Sequence, residues 1–123
     1  MSIVTFQRLT IKKHDTLPKP KFKVVQKDPS DPSSTIPVDL TGATAKFLMV
    51  TDDDLRTLKV DAAATIISPE TDGEIEYSWI AADTDTIGDY LGEVEIIFTG
   101  GEKLTLPNDD TFQIKVVADY NDS

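Results

Sequence analysis

Residues 90–99 of the chain, Tyr-Leu-Gly-Glu-Val-Glu-Ile-Ile-Phe-Thr, decide its fold class. Every second residue from Tyr90 to Phe98 is apolar or glycine, and two glutamates stand between them. This period of two is typical of a β-strand with one buried side and one solvent-facing side, because successive side chains point to opposite faces. Gly100-Gly101 then predicts a hairpin turn into a second strand over residues 103–106. The stretch therefore predicts an antiparallel sheet.

The same alternation recurs on both sides of this hairpin. Residues 74–79 place Ile75, Tyr77 and Trp79 on one face. Turn-forming residues interrupt the alternation about every eight to twelve residues, which is typical of a sandwich or barrel. The other predicted strands cover residues 3–12, 21–26, 43–50, 57–67 and 112–118, with a helix over 60–64 as an alternative. A surface loop is predicted over residues 28–34, because this segment is rich in Pro, Asp and Ser.

We therefore predict that residues 1–123 form one all-β domain, a single immunoglobulin-like antiparallel β-sandwich of about eight strands. At this length, folding removes roughly two-thirds of the unfolded chain's surface from water, which is enough for one core. The inward positions hold nearly all of the aromatic rings, namely Phe22, Phe47, Tyr77, Trp79, Tyr90, Phe98 and Phe112. Burial in the core explains these rings without a cofactor.

The composition excludes several classes of partner. Twelve basic and 22 acidic residues give a formal net charge of −10, so the average field repels phosphate backbones and anionic lipids. We expect neither nucleic acid nor a membrane as a partner. The chain has no cysteine, which removes disulfides and thiolate chemistry, and it has no apolar run long enough for a signal peptide or a membrane span.

Residues that could carry catalysis are few. His14 is the one histidine and has no cysteine or second histidine to complete a metal site, so we interpret His14-Asp15 as a surface pair. Carboxylates in the predicted loops at 52–54, 83–85 and 109–110 could gather around calcium, but they also suit turns and solubility, and their spacing is not that of an EF-hand. We predict no enzyme activity, no catalytic residue, no metal ligand and no cofactor.

Several short segments resemble a known family. They are His14-Asp15-Thr16-Leu17-Pro18, Val38-Asp39-Leu40-Thr41-Gly42-Ala43-Thr44, Gly73-Glu74-Ile75-Glu76-Tyr77-Ser78-Trp79, Gly88-Asp89-Tyr90 and Leu106-Pro107-Asn108. Their order and spacing resemble the N-terminal domain family of phage upper baseplate proteins (BppU-type), which are immunoglobulin-like virion domains. The resemblance implies a docking module without catalytic residues.

The resemblance also implies a function and a location. The expected function is that of a non-enzymatic structural subunit of a tailed-phage virion, in the baseplate or tail, that docks onto other virion proteins and is made in the host cytoplasm. A head, neck or capsid-decoration subunit is the alternative in the same class, and a carbohydrate-binding module is the alternative from another class. Self-association into a homo-oligomer is left open, because one sequence records no symmetry.

The predicted interface lies at the start of the chain. Residues 1–12 are interpreted as a docking strand, with Ile3, Val4, Phe6 and Leu9 as the contact residues. The same apolar residues are equally suited to the first strand of the sandwich itself, since an N-terminal strand in a sheet is ordinary. The sequence does not separate these two interpretations.

Overall fold

The computed structural model describes residues 2–4, 8–107 and 112–120. Ten strands are present in these ranges: β1 Ser2–Val4, β2 Arg8–Lys12, β3 Lys21–Asp28, β4 Asp31–Pro37, β5 Thr44–Thr51, β6 Leu58–Ile66, β7 Glu74–Glu76, β8 Gly88–Ile97, β9 Lys103–Leu106 and β10 Phe112–Val117. Two short 3-10 turns, Glu70–Asp72 and Ala81–Thr84, are the helical elements of the described ranges. No helix among the described residues has the length and apolar character needed to cross a membrane.

The strands form two layers that are joined at β6. In the first layer β3 pairs with β1, β4 and β7, and β7 pairs with the last residues of β6. In the second layer the order is β6-β5-β8-β10-β2, and β9 adds to β8. The predicted all-β sandwich is confirmed, with ten strands in place of about eight.

The N-terminal segment differs from the prediction in an informative way. The single strand predicted over residues 3–12 is two strands in different layers, since β1 pairs antiparallel with β3 while β2 pairs parallel with β10. The sandwich is therefore not wholly antiparallel. Alternation of apolar residues records which face of a strand is buried, but it does not record the partner strand or its direction.

Two further segments depart from the predictions. Residues 28–34 are not a loop, because β3 and β4 form a hairpin around Pro29-Ser30. β4 is almost wholly exposed and contains Pro32 and Pro37, which suits an edge strand that needs few backbone donors. Residues 77–79 keep their predicted inward side chains but lie beyond the end of β7. The alternative helix over residues 60–64 is absent, since these residues belong to β6.

Both layers contribute to one cluster of buried side chains. The predicted inward residues Ala45, Phe47 and Met49 of β5 are buried, as are Val94 and Ile96 of β8. Phe98 is the exception among the predicted core aromatics, since it is only partly buried.

Aromatic rings form the centre of this core. The Phe47 ring lies 4.7 Å from the Tyr77 ring, 5.7 Å from the Trp79 ring and 6.0 Å from the Phe22 ring, measured between centroids. Offset and edge-to-face arrangements at such distances stabilise aromatic pairs beyond the burial of their surface. The cluster therefore ties β3 and β5 to the segment that follows β7.

Candidate binding groove

The structure places the four predicted interface residues differently from one another. Ile3 and Val4 lie in β1, where their backbones pair with Val24 and Lys23 of β3. Phe6 lies outside the described residues. Leu9 is buried at 9% exposure and belongs to the core cluster, so its side chain is not the exposed contact that the prediction assumed. The structure thus forms an N-terminal strand within the sandwich, and a docking role for Ile3 and Val4 stays a prediction.

A groove of about 650 Å³ opens next to Leu9, between the two layers. One wall is β2, through Arg8, Leu9 and Thr10, and the opposite wall is the segment from Leu17 to Lys21. Glu76 of β7 and Phe112 of β10 complete the lining. The volume lies in the range typical of ligand-binding clefts.

The floor of the groove is apolar because two core strands reach it. Leu9 points inward from β2, and Phe112 is the first residue of β10, with its ring edge-on to Phe22 at 5.3 Å. Leu17, at 66% exposure, and Pro18 extend this apolar surface to the rim. A ligand that covers the groove would therefore remove apolar surface from water, which is favourable.

The rim of the groove is positively charged, in contrast to the whole chain. Arg8, Lys19 and Lys21 contribute three positive charges and Glu76 one negative charge, which gives a net +2 for the lining. The Glu76 carboxylate lies 3.6 Å from Lys19 Nζ and 3.4 Å from Lys21 Nζ, so it forms ion pairs with both ammonium groups. Surface pairs of this kind are weak, and a carboxylate of a ligand can compete for the same cations.

Hydrogen bonds from residues 77–84 hold residues 15–20, a segment that includes most of the groove wall at residues 17–21. Trp79 Nε1 donates to the carbonyl oxygen of Pro18 at 2.9 Å, and the backbone N–H of Tyr77 donates to Pro20 at 3.0 Å. Thr84 Oγ1 donates to the carbonyl oxygen of Asp15 at 2.9 Å. The buried aromatic cluster therefore supports the groove wall directly, and the groove is preformed.

A buried polar pair lies beneath this wall. Tyr77 Oη donates to Asp83 Oδ2 at 2.6 Å, and the same oxygen accepts the backbone N–H of Ile80 at 3.0 Å. Both side chains are buried. Burial, and next the hydrogen bond to Asp83, raise the pKa of Tyr77 above its ordinary value of 10.0. The Asp83 carboxylate therefore has a structural role, since it accepts hydrogen bonds from within the protein.

The substitution Tyr77→Phe should lower the free energy of unfolding by about 1.5 to 3 kcal/mol, because it leaves a buried carboxylate without its phenol donor. Tyr90→Phe is the matched control, since Tyr90 Oη donates to the neutral carbonyl oxygen of Thr86 at 2.7 Å. Its expected cost is about 0.5 to 1.5 kcal/mol. Urea denaturation at neutral pH measures both losses, and equal losses would contradict a special contribution from Asp83.

The same pair has an expected pH dependence. Because the folded pKa of Tyr77 is raised, the neutral phenol stabilises the fold fully below about pH 10, and this contribution is lost as the pH rises through the folded pKa. Tyr77→Phe should therefore flatten the fall of the unfolding midpoint above about pH 10. An unchanged slope would show that another group causes the alkaline loss.

The other candidate residues from the sequence that the structure describes do not form a chemical centre, and the carboxylates at 109–110 lie outside the described residues. His14 and Asp15 are exposed, as predicted. Asp53 closes its own turn by accepting from the backbone N–H groups of Leu55 and Arg56 at 3.0 Å each. Asp85 pairs with Lys59 at 2.5 Å, which together with Thr86 lowers the pKa of this carboxyl. Within residues 2–4, 8–107 and 112–120, no group of three or more His, Asp or Glu side chains is placed to hold a metal ion.

Sequence reasoning missed the cationic rim, although a signal was present. Seven of the 12 basic residues lie between Arg8 and Lys27, and Asp15 is the one acidic residue among residues 1–27. The formal charge is thus +6 for residues 1–27 and −16 for residues 28–123, which sum to the net −10. Charge asymmetry between parts of a chain indicates an interaction surface, and a total charge conceals it.

No family model and no curated protein sequence matches the chain. Among solved structures it is similar to CopC from Methylosinus trichosporium OB3b, with a TM-score of 0.48 and 10% sequence identity over 95% of this chain and 93% of that chain. The prediction that the chain is a structural subunit of a tailed-phage virion is wrong: the comparison of solved structures gives CopC, and nothing in the comparisons supports a phage function. The resemblance to the BppU-type family is not among these matches and stays a prediction of the sequence.

Proposed function

We propose that this chain is a non-catalytic binding domain, and that the groove between β2 and residues 17–21 binds an acidic ligand with an apolar group. The observation that carries this proposal is the pairing of an apolar floor with a cationic rim on a chain whose net charge is −10. The net charge of the chain repels such a ligand on average, so the local charge of +2 in the lining favours binding at the groove.

The rigid construction of the groove supports a specific contact. Leu9 and Phe112 belong to the core, so the floor is fixed by packing and cannot collapse without disturbing the sandwich. The wall is fixed by the bonds from Trp79 and Tyr77 to Pro18 and Pro20. A preformed site loses little conformational entropy on binding, which favours affinity.

Nucleic acid fits this groove less well than an acidic protein segment does. A polyanion would extend beyond the short cationic rim onto the surface of a chain whose formal net charge is −10. Phe112 is the aromatic residue of the lining and is only 3% exposed, so the groove offers little ring surface for base stacking. Apolar side chains flanked by carboxylates match both properties of the groove.

Charge reversal at the rim tests the proposal. The double substitution Arg8→Glu with Lys19→Glu should weaken binding of a fluorescent peptide that alternates glutamate and leucine by at least about tenfold, since attraction becomes repulsion at both walls. The loss should shrink as salt is added, because these charges are exposed. Fluorescence anisotropy measures the affinity and thermal unfolding verifies the fold.

The matched control is Lys23→Glu with Lys27→Glu, which changes the net charge equally at exposed residues of β3 that do not line the groove. This control should bind the peptide within about twofold of the unchanged protein, a difference of about 0.4 kcal/mol. Equal weakening by both pairs would mean that total charge, and not the groove, determines binding. Tighter binding of a single-stranded oligonucleotide than of the peptide would overturn the choice of ligand.

A further inference from the structure

We infer that the ligand of the groove is an extended segment of a partner protein that adds to β2 as an eleventh strand, with its apolar side chains in the groove and its carboxylates on the rim. The inference rests on the proposed function and specifies the form of the ligand. It is drawn from the free backbone groups of β2 and is independent of the charges on the rim.

β2 is the last strand of its layer. Its described pairing is with β10 alone, in parallel, from Arg8 with Gln113 to Lys12 with Val117. The N–H of Lys13 donates to the carbonyl oxygen of Val117 at 2.8 Å. Because the backbone groups of a strand alternate in direction, those of Leu9 and Ile11 also face β10, and those of Thr10 face the opposite way.

The outward backbone groups of Thr10 are available to another strand. Neither its N–H nor its C=O bonds another backbone group of the described residues, whereas the carbonyl oxygen of Lys12 is already occupied by the N–H of Asp15 at 3.0 Å. The free edge is thus short and centred on Thr10. Exposed edges of this kind are templates for strand addition.

The groove follows this edge. Arg8, Leu9 and Thr10 all line it although their side chains alternate between faces, so the groove runs beside the backbone itself. A strand laid along Thr10 would place every second side chain over Leu9 and Phe112 and would have Lys19 and Lys21 on its far side. Backbone bonds would then supply affinity while the floor and rim select apolar and acidic residues.

The exposed edge of β4 lacks these features. β4 is also an outer strand, but it carries Pro32 and Pro37 and its residues are nearly all exposed. Prolines and polar residues are common protections against unwanted edge pairing. β2 has no proline, and an apolar groove lies beside it. The two edges therefore differ in the way expected of a docking strand and a protected strand.

Replacing Thr10 with proline tests the backbone contact. Proline removes an N–H that points away from β10, so the β2–β10 pairing remains intact, and prolines are tolerated at such edge positions. Thr10→Val is the control, because it keeps both the N–H and the side-chain shape. We expect Thr10→Pro to weaken binding of the glutamate–leucine peptide by about fivefold to tenfold, the loss of one net hydrogen bond, and Thr10→Val to change it by less than about twofold.

A modified peptide tests the same contact on the unaltered protein, so that a misfolded variant cannot obscure the result. N-methylation of alternate amides on the edge that faces β2 should abolish most binding, whereas N-methylation on the other edge should leave it nearly unchanged. Equal effects of the two peptides would overturn strand addition. If the charge-reversed rim still weakens binding in that case, the proposed function stands while the inference fails; if neither rim nor edge matters, both fail.

Discussion

Replacing Phe47 with alanine should lower the free energy of unfolding by about 3 to 5 kcal/mol, the largest effect that we expect from a single truncation in this chain. Phe47 is fully buried on the central strand β5, and its ring contacts those of Phe22, Tyr77 and Trp79. The substitution removes the ring and leaves a cavity whose walls are other rings. These rings belong to different parts of the sandwich and are fixed by their own packing, so they cannot move together to fill the cavity.

The size of this loss matters because small domains are only marginally stable. A loss of this size is a large fraction of the roughly 5 to 15 kcal/mol that stabilises a typical domain. Phe98→Ala is the control, since Phe98 is only partly buried and packs at the margin of the cluster. Guanidinium denaturation of both variants should show the Phe47 loss to be clearly the larger. Similar losses would contradict the central position of Phe47.

Loss of the Phe47 ring should also weaken the groove. Trp79 contacts Phe47 through its ring and holds the Pro18 carbonyl through Nε1, so a loosened Trp79 no longer fixes the groove wall. We therefore expect Phe47→Ala to weaken peptide binding even under conditions where the variant remains folded. Hydrogen exchange of the Trp79 indole N–H by NMR reports this loosening directly. Unchanged protection of this N–H would contradict the expected link between the core and the groove wall.

Gly73→Ala should cost about 3 kcal/mol or more. Gly73 has a φ of +69°, which alone costs a residue with a Cβ roughly 1 to 3 kcal/mol. A Cβ at this position would also lie 2.7 Å from the carbonyl oxygen of Val24 and 2.9 Å from that of Val38. Both obstacles are backbone atoms, so relief requires β3 to move away from β7 and breaks the bond from the Val24 N–H to the Gly73 carbonyl oxygen.

Gly101→Ala is the matched control for this prediction. Gly101 has a φ of +88°, but a Cβ there would meet no atom within 4 Å. Its cost is therefore the backbone strain alone, roughly 1 to 3 kcal/mol. The difference between the two variants in a urea titration isolates the crowding of β3 against β7, and an equal cost would show that crowding contributes nothing.

The fold class could be predicted from sequence because its signal is local. The alternation in residues 90–99 and 43–50 reports burial of one face, and each strand carries that signal without reference to its partner. The inward aromatics Phe47, Tyr77 and Trp79 follow from the same period. Residues 28–34 show where local signals mislead, since prolines that usually mark a loop are tolerated in an exposed edge strand.

The groove could not be predicted in this way, because no short segment contains it. Arg8 and Gln113 are 105 positions apart in sequence, yet Arg8 Nη2 donates to Gln113 Oε1 at 3.1 Å across the β2–β10 pair. Leu9, Lys19, Glu76 and Phe112 meet at one opening only after both layers have formed. The concentration of basic residues in the first 27 positions indicated a partner surface but not its shape.

The sequence by itself thus determined an all-β chain, the buried face of most strands and the aromatic composition of the core, because these depend on a side-chain period of two. Only the tertiary structure decided that residues 3–12 divide between two layers and that β2 runs parallel to β10 with Thr10 on a free edge. It also decided that Tyr77 donates a hydrogen bond to the buried Asp83. These features depend on contacts between distant segments, whose partners are selected by the packing of the whole sandwich.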